Sequence, residues 1–201
     1  MFFYFSFGGA KAQEMITVGF LPQYRFEFVD QIDLSKITHL NLAFANPDSL
    51  GNLSFNDREI APIINKAKQL GNKVFISLAG GALSPEWEKA WESLTQPENR
   101  SAFISKIKSY TLANNTDGVD VDLEWSHVDE NYSGFVIELA DSLKNAGLEI
   151  TASLPCTYRY PEISNQALAV FDWINIMAYI KYRAEINSII SRKVMGQYLD
   201  Y

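Results

Sequence analysis

Six short runs of apolar and β-branched residues recur along the chain, and stretches with helical spacing separate them. The runs cover residues 16–21, 37–45, 73–79, 118–124, 148–154 and 173–179. Most are closed by turn residues: Pro22, Asn46-Pro47, Gly80-Gly81 and Pro155. Each has strand length and strand punctuation. Between them, residues 57–70 align Ile60, Ile63, Ile64, Ala67 and Leu70 on one helical face and stop at Gly71. Residues 97–113 align Phe103, Ile104, Ile107, Tyr110 and Thr111, and residues 132–146 align Phe135, Leu139 and Leu143 before Gly147. Glycine just past the last periodic residue is a common helix stop. Alternating strands and helices, with strands apolar nearly throughout, predict an α/β fold of about six βα units whose parallel sheet is covered by helices.

The fourth run departs from the apolar rule. Asp117-Gly118-Val119-Asp120-Val121-Asp122-Leu123-Glu124 alternates acid with aliphatic. Side chains of a strand alternate between faces, so Asp120, Asp122 and Glu124 share one face, while Val119, Val121 and Leu123 share the other. Three acids on one face of a covered strand would cost several kcal/mol each if buried unpaired. Same-face neighbours lie about 6–7 Å apart and raise one another's pKa. One of them can then hold a proton near neutrality and act as a general acid. Glu124 stands at the C-terminal end of its strand, where β/α barrels build their active sites. Acid–base catalysis is the leading reading; a magnesium site and a structural hydrogen-bonded network are the others. Calcium loops use turn residues and glycine rather than alternating valine.

Composition narrows the field. The chain has 201 residues, 47% hydrophobic and 20% charged, which suits a single globular domain. The 24 acidic and 17 basic residues are mixed along the chain, with a net charge of −7 and no basic stripe, which argues against nucleic acid and against a polybasic membrane anchor. Cys156 is the only cysteine, so no internal disulfide and no cysteine metal motif can form. His39 and His127 are too few for a histidine zinc site. No apolar run reaches the ~18 residues of a membrane helix. Residues 1–12 begin almost purely aromatic and end in Ala10-Lys11-Ala12, a small-x-small pattern that reads as a signal-peptide remnant and implies export. A plain hydrophobic N-terminal strand is the competing reading.

Asp117, Asp120, Asp122 and Glu124 meet every position of the D-x-x-D-x-D-x-E signature, and the segment resembles glycoside hydrolase family 18, the chitinase family. Ser77-Leu78-Ala79-Gly80-Gly81 resembles the end of that family's third strand, with Ala79 in place of the first glycine. Met177-Ala178-Tyr179 resembles the end of its sixth strand, with Ile180 in place of an aspartate. The likeness runs from about Ile16 to Tyr179. It implies a (β/α)8 TIM-type barrel and hydrolysis of β-1,4-linked N-acetylglucosamine polymers, with the substrate's own acetamide as nucleophile. On that resemblance Glu124 protonates the leaving oxygen, Asp122 orients the acetamide, Asp120 tunes Asp122, and Tyr179 hydrogen-bonds the acetamide carbonyl. Met177 and Ser77 shape the pocket floor, Asp117 and Gly118 complete the motif, and neither metal nor cofactor is required. Trp173, Asn175, Met177 and Tyr179 alternate onto one face of the sixth run, so Trp173 and Asn175 join the substrate-binding candidates; filling the barrel core is the other reading of Trp173. Trp87, Trp91 and Trp125 are further candidate sugar platforms, though Trp87 and Trp91, four apart on a helix, favour core packing. His127 follows the acid strand in a loop and reads as a surface residue, and Cys156 as an inert residue near a strand end.

Leu123 before Glu124 resembles the endo-β-N-acetylglucosaminidase branch, which keeps N-glycans as an alternative substrate. A complete barrel takes ~250 residues and eight strands. Residues 181–201 offer one amphipathic helix, so the domain spanning 13–201 is expected to be C-terminally incomplete. A sugar-binding module without turnover and an inactive fragment therefore stand beside the active hydrolase.

Overall fold

The computed structural model describes residues 15–55, 58–156 and 159–178. Seven strands form one sheet: β1 (Val18–Pro22), β2 (His39–Pro47), β3 (Leu53–Ser54), β4 (Lys73–Ala79), β5 (Gly118–Asp122), β6 (Glu149–Pro155) and β7 (Trp173–Met177). Their order is β1-β2-β4-β5-β6-β7, all parallel, and the two-residue β3 turns back antiparallel onto the end of β2. This is the six-stranded arc of a TIM barrel. The helices are α1 (Ala61–Gln69), α2 (Pro85–Leu94), α3 (Arg100–Ala113), α4 (Tyr132–Lys144) and α5 (Asn165–Ala169).

All six expected strands form, within two residues at nearly every boundary. β5 stops at Asp122, so Leu123 and Glu124 already belong to the loop beyond it. The first crossover is made of 3-10 turns over Gln23–Gln31 and Leu34–Lys36, which apolar periodicity did not reveal. Asn46 and Pro47, read as a strand stop, lie inside β2 and pair with β3. α1 buries Ile63, Ile64 and Ala67, but Leu70 is exposed at its C-terminal end. Gly71 and Gly147 follow α1 and α4 with φ of 83° and 74°, as the helix-stop pattern predicts.

Alternation along the strands separates two environments. One face carries Leu40 and Leu42, Val74, Ile76 and Leu78, Val119 and Val121, and Ile150, Ala152 and Leu154, all buried in the core beneath the helices. Fully burying each of the larger side chains contributes roughly 1.5–3 kcal/mol. The opposite, inner face carries Phe75, Ser77, Asp120, Asp122, Thr151, Ser153, Trp173 and Asn175. The register places them side by side: Ser77 beside Asp120, Asp120 beside Thr151, Ser153 beside Asn175.

The lower, N-terminal end of the inner face is aromatic. Trp173 meets His39 and Phe75 edge-on, with ring centroids 5.0 and 5.5 Å apart. Phe75 lies over Gly118, where an added Cβ would come within 2.5 Å of its ring and 2.4 Å of the Glu149 carbonyl. Trp173 therefore packs into the floor of the described arc, the other of the two readings its sequence position allowed. It is the first residue of β7, paired in register with Thr151. Asp117 clamps the same end: its carboxylate accepts from Val74 N at 2.7 Å and pairs with Lys68 Nζ at 2.9 Å.

Candidate active site

β5 carries the acids upward from the interior to the C-terminal rim. Asp120 is wholly buried and accepts four hydrogen bonds. Thr151 Oγ1 and Asn175 Nδ2 donate to Oδ1 at 2.6 and 3.1 Å, while Ser77 Oγ and Ser153 Oγ donate to Oδ2 at 2.8 and 3.1 Å. Burial pushes the Asp120 carboxyl above its ordinary value, and the four donors oppose that shift. The sockets come from β4, β6 and β7, so Asp120 also ties three neighbouring strands together. Ser77 thus supports Asp120 from within and is itself fully buried. Thr151 and Ser153 were missed. Their signal is the polar alternation in Glu149–Pro155, an otherwise apolar strand.

Asp122 sits one step higher, 4% exposed, and its buried Oδ1 meets no hydrogen-bond partner among the described residues. Burial, then the charges of Asp120 and Glu124, push its pKa up to about 8. At neutral pH Asp122 therefore holds a proton. Glu124, half-buried past the strand end, is raised by burial as well. It nests against Gly81, where a Cβ would lie 2.6 Å from Glu124 Oε1. Gly80 is crowded in turn, since a Cβ there would lie 2.6 Å from the Phe44 ring. Glycine is needed at both positions for close approach.

Two lobes of an open cleft meet at Phe44 and Asp122. One, of about 900 Å³, is lined by Gln23, Tyr24, Gly81 and Glu124 among others. The second, of about 700 Å³, is lined by Phe20, Ser153, Asn175 and Met177 among others. Asp122, Glu124, Asn175 and Met177 are therefore brought together at one cleft. Tyr179 lies outside the described residues. Phe44 and Tyr24 were not singled out in the sequence, because a half-buried aromatic at a bulge and an exposed one in a 3-10 turn carry no periodic signal. Trp91 is core, against Phe103 and Phe135, and Trp87 packs at the core's edge. His127 lies in a 3-10 turn beside α2, its N–H donating to the Glu124 carbonyl at 3.2 Å. Cys156 is free and half-buried just past β6. No cluster of three metal-ligating side chains occurs among the described residues.

The whole arrangement is two buried carboxyls beneath a third at the rim of a barrel. Residues 3–193 match the profile of Glycosyl hydrolases family 18. The chain belongs to this family. Among solved structures, it resembles the family 18 chitinase ChiB from the chitin utilization locus of Flavobacterium johnsoniae, with 38% identity and a TM-score of 0.86 over 93% of this chain and 64% of that one. The secreted chitinase LysM12 of Penicillium expansum is 27% identical over 191 residues, spanning 81% of this chain and 12% of the relative. Mouse chitotriosidase-1 is 27% identical over 198 residues, spanning 85% of this chain and 42% of the relative. The chain thus spans less than two thirds of each of these relatives. Family 18 membership accounts for the acid series on β5 and for the chain's (β/α) order.

Proposed function

We propose that this chain carries the acid-bearing part of a chitinase-like glycosidase that cleaves β-1,4-linked N-acetylglucosamine polymers with retention, the substrate acetamide serving as nucleophile. The observation that carries the reading is the graded series Asp120, Asp122, Glu124 rising from the interior to the cleft, fully buried, nearly buried and half-buried in turn. Glu124, kept protonated above the ordinary carboxyl range, donates its proton to the leaving glycosidic oxygen. The acetamide oxygen then closes on the anomeric carbon as the glycosidic bond breaks; Asp122 accepts the acetamide N–H and, giving its proton to cleft water as positive charge develops beside it, stabilises the resulting oxazolinium as a carboxylate. Water opens that ring, with Glu124 taking the proton back. Asp120 holds its place under Asp122 through its four donors and sets the resting charge of the pair. Asn175 and Met177 line the sugar pocket, and Tyr179 joins them on the family resemblance alone. Residues 13–201 are assigned to this catalytic-type barrel domain. Export follows from the N-terminal pattern and from the secreted relative; no helix among the described residues is long and apolar enough to cross a membrane.

N-glycan cleavage is less well supported. Leu123, which suggested it, is buried in the core beneath the helices and does not line the cleft. The test is hydrolysis of a fluorogenic N-acetylchitooligosaccharide by the full chain beside Glu124→Gln. Turnover that falls at least about a hundredfold in the variant supports the reading. A folded chain without turnover makes it a binding-only or inactive member, and equal turnover in both proteins removes Glu124 as the acid.

A further inference from the structure

Asn46 stands outside the acid series, at the far end of β2, and is 3% exposed. Its two amide atoms face opposite neighbours. Oδ1 accepts from Trp91 Nε1 at 2.8 Å, and Nδ2 donates to the Ala79 carbonyl at 3.1 Å. The orientation is forced, because an indole N–H only donates and a backbone carbonyl only accepts. Ala79 and Gly80 both hold left-handed conformations, with φ of 70° and 84°. For alanine that conformation is unfavourable and persists only where surrounding structure holds it. The Ala79–Gly80 peptide is gripped at both ends. Its carbonyl takes the Asn46 amide, and its N–H donates to the Asp122 carbonyl at 3.0 Å. The next residue, Gly81, is the one that nests against Glu124.

We infer that Asn46 is a positioning residue for the acid site: by fixing the Ala79–Gly80 peptide it seats Gly81 against Glu124 and ties the end of β4 to the backbone of Asp122. Trp91 on α2 locks Asn46 from behind. No sequence motif assigns this role; the link exists only where β2, β4 and α2 converge. The consequence for turnover rests on the chitinase-like reading, whereas the positioning itself does not. Loosening the turn admits water to Glu124, whose elevated pKa stems from burial, so its titration moves to lower pH. Among the described residues, the titratable groups facing Glu124 across the cleft are Asp122 on β5 and Tyr24 in the loop after β1; the β4 turn presents none.

The experiment follows the carboxyl carbon of Glu124 by NMR across pH in the full chain, the resonance being assigned by its loss in Glu124→Gln. Asn46→Ala is compared with wild type and with Asn46→Ala/Ala79→Gly, in which glycine adopts the left-handed turn without support. The midpoint is expected to fall in Asn46→Ala and to return toward wild type in the double variant. In parallel, kcat on the fluorogenic oligosaccharide should fall about tenfold while KM stays within about twofold. Asn46→Leu, which keeps the volume, repeats the measurement where the alanine variant does not fold. An unchanged midpoint in a folded variant overturns the inference. So does loss of folding in both variants with no recovery on adding Ala79→Gly, since Asn46 would then be a core residue only. A shifted midpoint in a chain that shows no turnover leaves the inference standing and removes the hydrolase reading.

Discussion

Asp122→Asn separates what the acid site contributes to function from what it costs in stability. Burial and the charges of Asp120 and Glu124 push the carboxyl up to about 8 in the folded chain, against 3.8 for an ordinary aspartate. A group raised in this way keeps its proton in the folded state over a range where the unfolded chain has released it. Stability is therefore full below the unfolded pKa and drains away as pH rises toward the folded one. The gap is about four pH units at about 1.4 kcal/mol each, a ceiling of about 6 kcal/mol above pH 8. Water in the open cleft screens part of this, and about 3 kcal/mol is the expected size. Asparagine matches the shape and carries no charge to bury. Urea denaturation followed by tryptophan fluorescence should give nearly equal stabilities at about pH 4, with the variant gaining steadily up to about pH 8. The same substitution should abolish oligosaccharide hydrolysis, the trade expected where a site is built at the expense of the fold. A stability difference that is constant with pH, or that shrinks toward pH 8, would refute the claim that Asp122 is a buried, uncompensated acid.

Other positions give independent checks. Gly118→Ala drives a methyl into the Glu149 carbonyl and the Phe75 ring, and should cost about 3 kcal/mol or more in urea denaturation. Ala79→Gly relieves a left-handed alanine, worth about 1 kcal/mol, against a smaller entropic loss in the unfolded chain; a net gain of about 0.5 kcal/mol is expected from the same assay. Thr151→Val removes the 2.6 Å hydroxyl bond to Asp120. It should destabilise the chain by about 1–2 kcal/mol and push the Asp120 carboxyl further up, read by carboxyl NMR.

Much of this protein was legible before any tertiary contact was considered. Strand periodicity is a local property of the backbone, so alternation alone put Asp120, Asp122 and Glu124 on one side and Val119, Val121 and Leu123 on the other. The same rule, with glycine stops, located α1, α4 and all six parallel strands. It failed at Gln23–Gln31, where short turns follow no long period, and at the end of β2, where Asn46-Pro47 read as a stop.

The partners of each acid were a different matter. The donors to Asp120 lie 31 to 55 residues away in the chain. They reach it only because strand register sets Ser77, Thr151, Ser153 and Asn175 at matching heights. Register is a relation between strands, and no single strand encodes it. For that reason the sequence could name Ser77 and Trp173 as site residues but not see that one supports Asp120 from below and the other fills the floor. The grip of Asn46 on the Ala79–Gly80 peptide is of the same kind. The acids were determined by sequence; their charge, burial and support were decided by the convergence of strands around them.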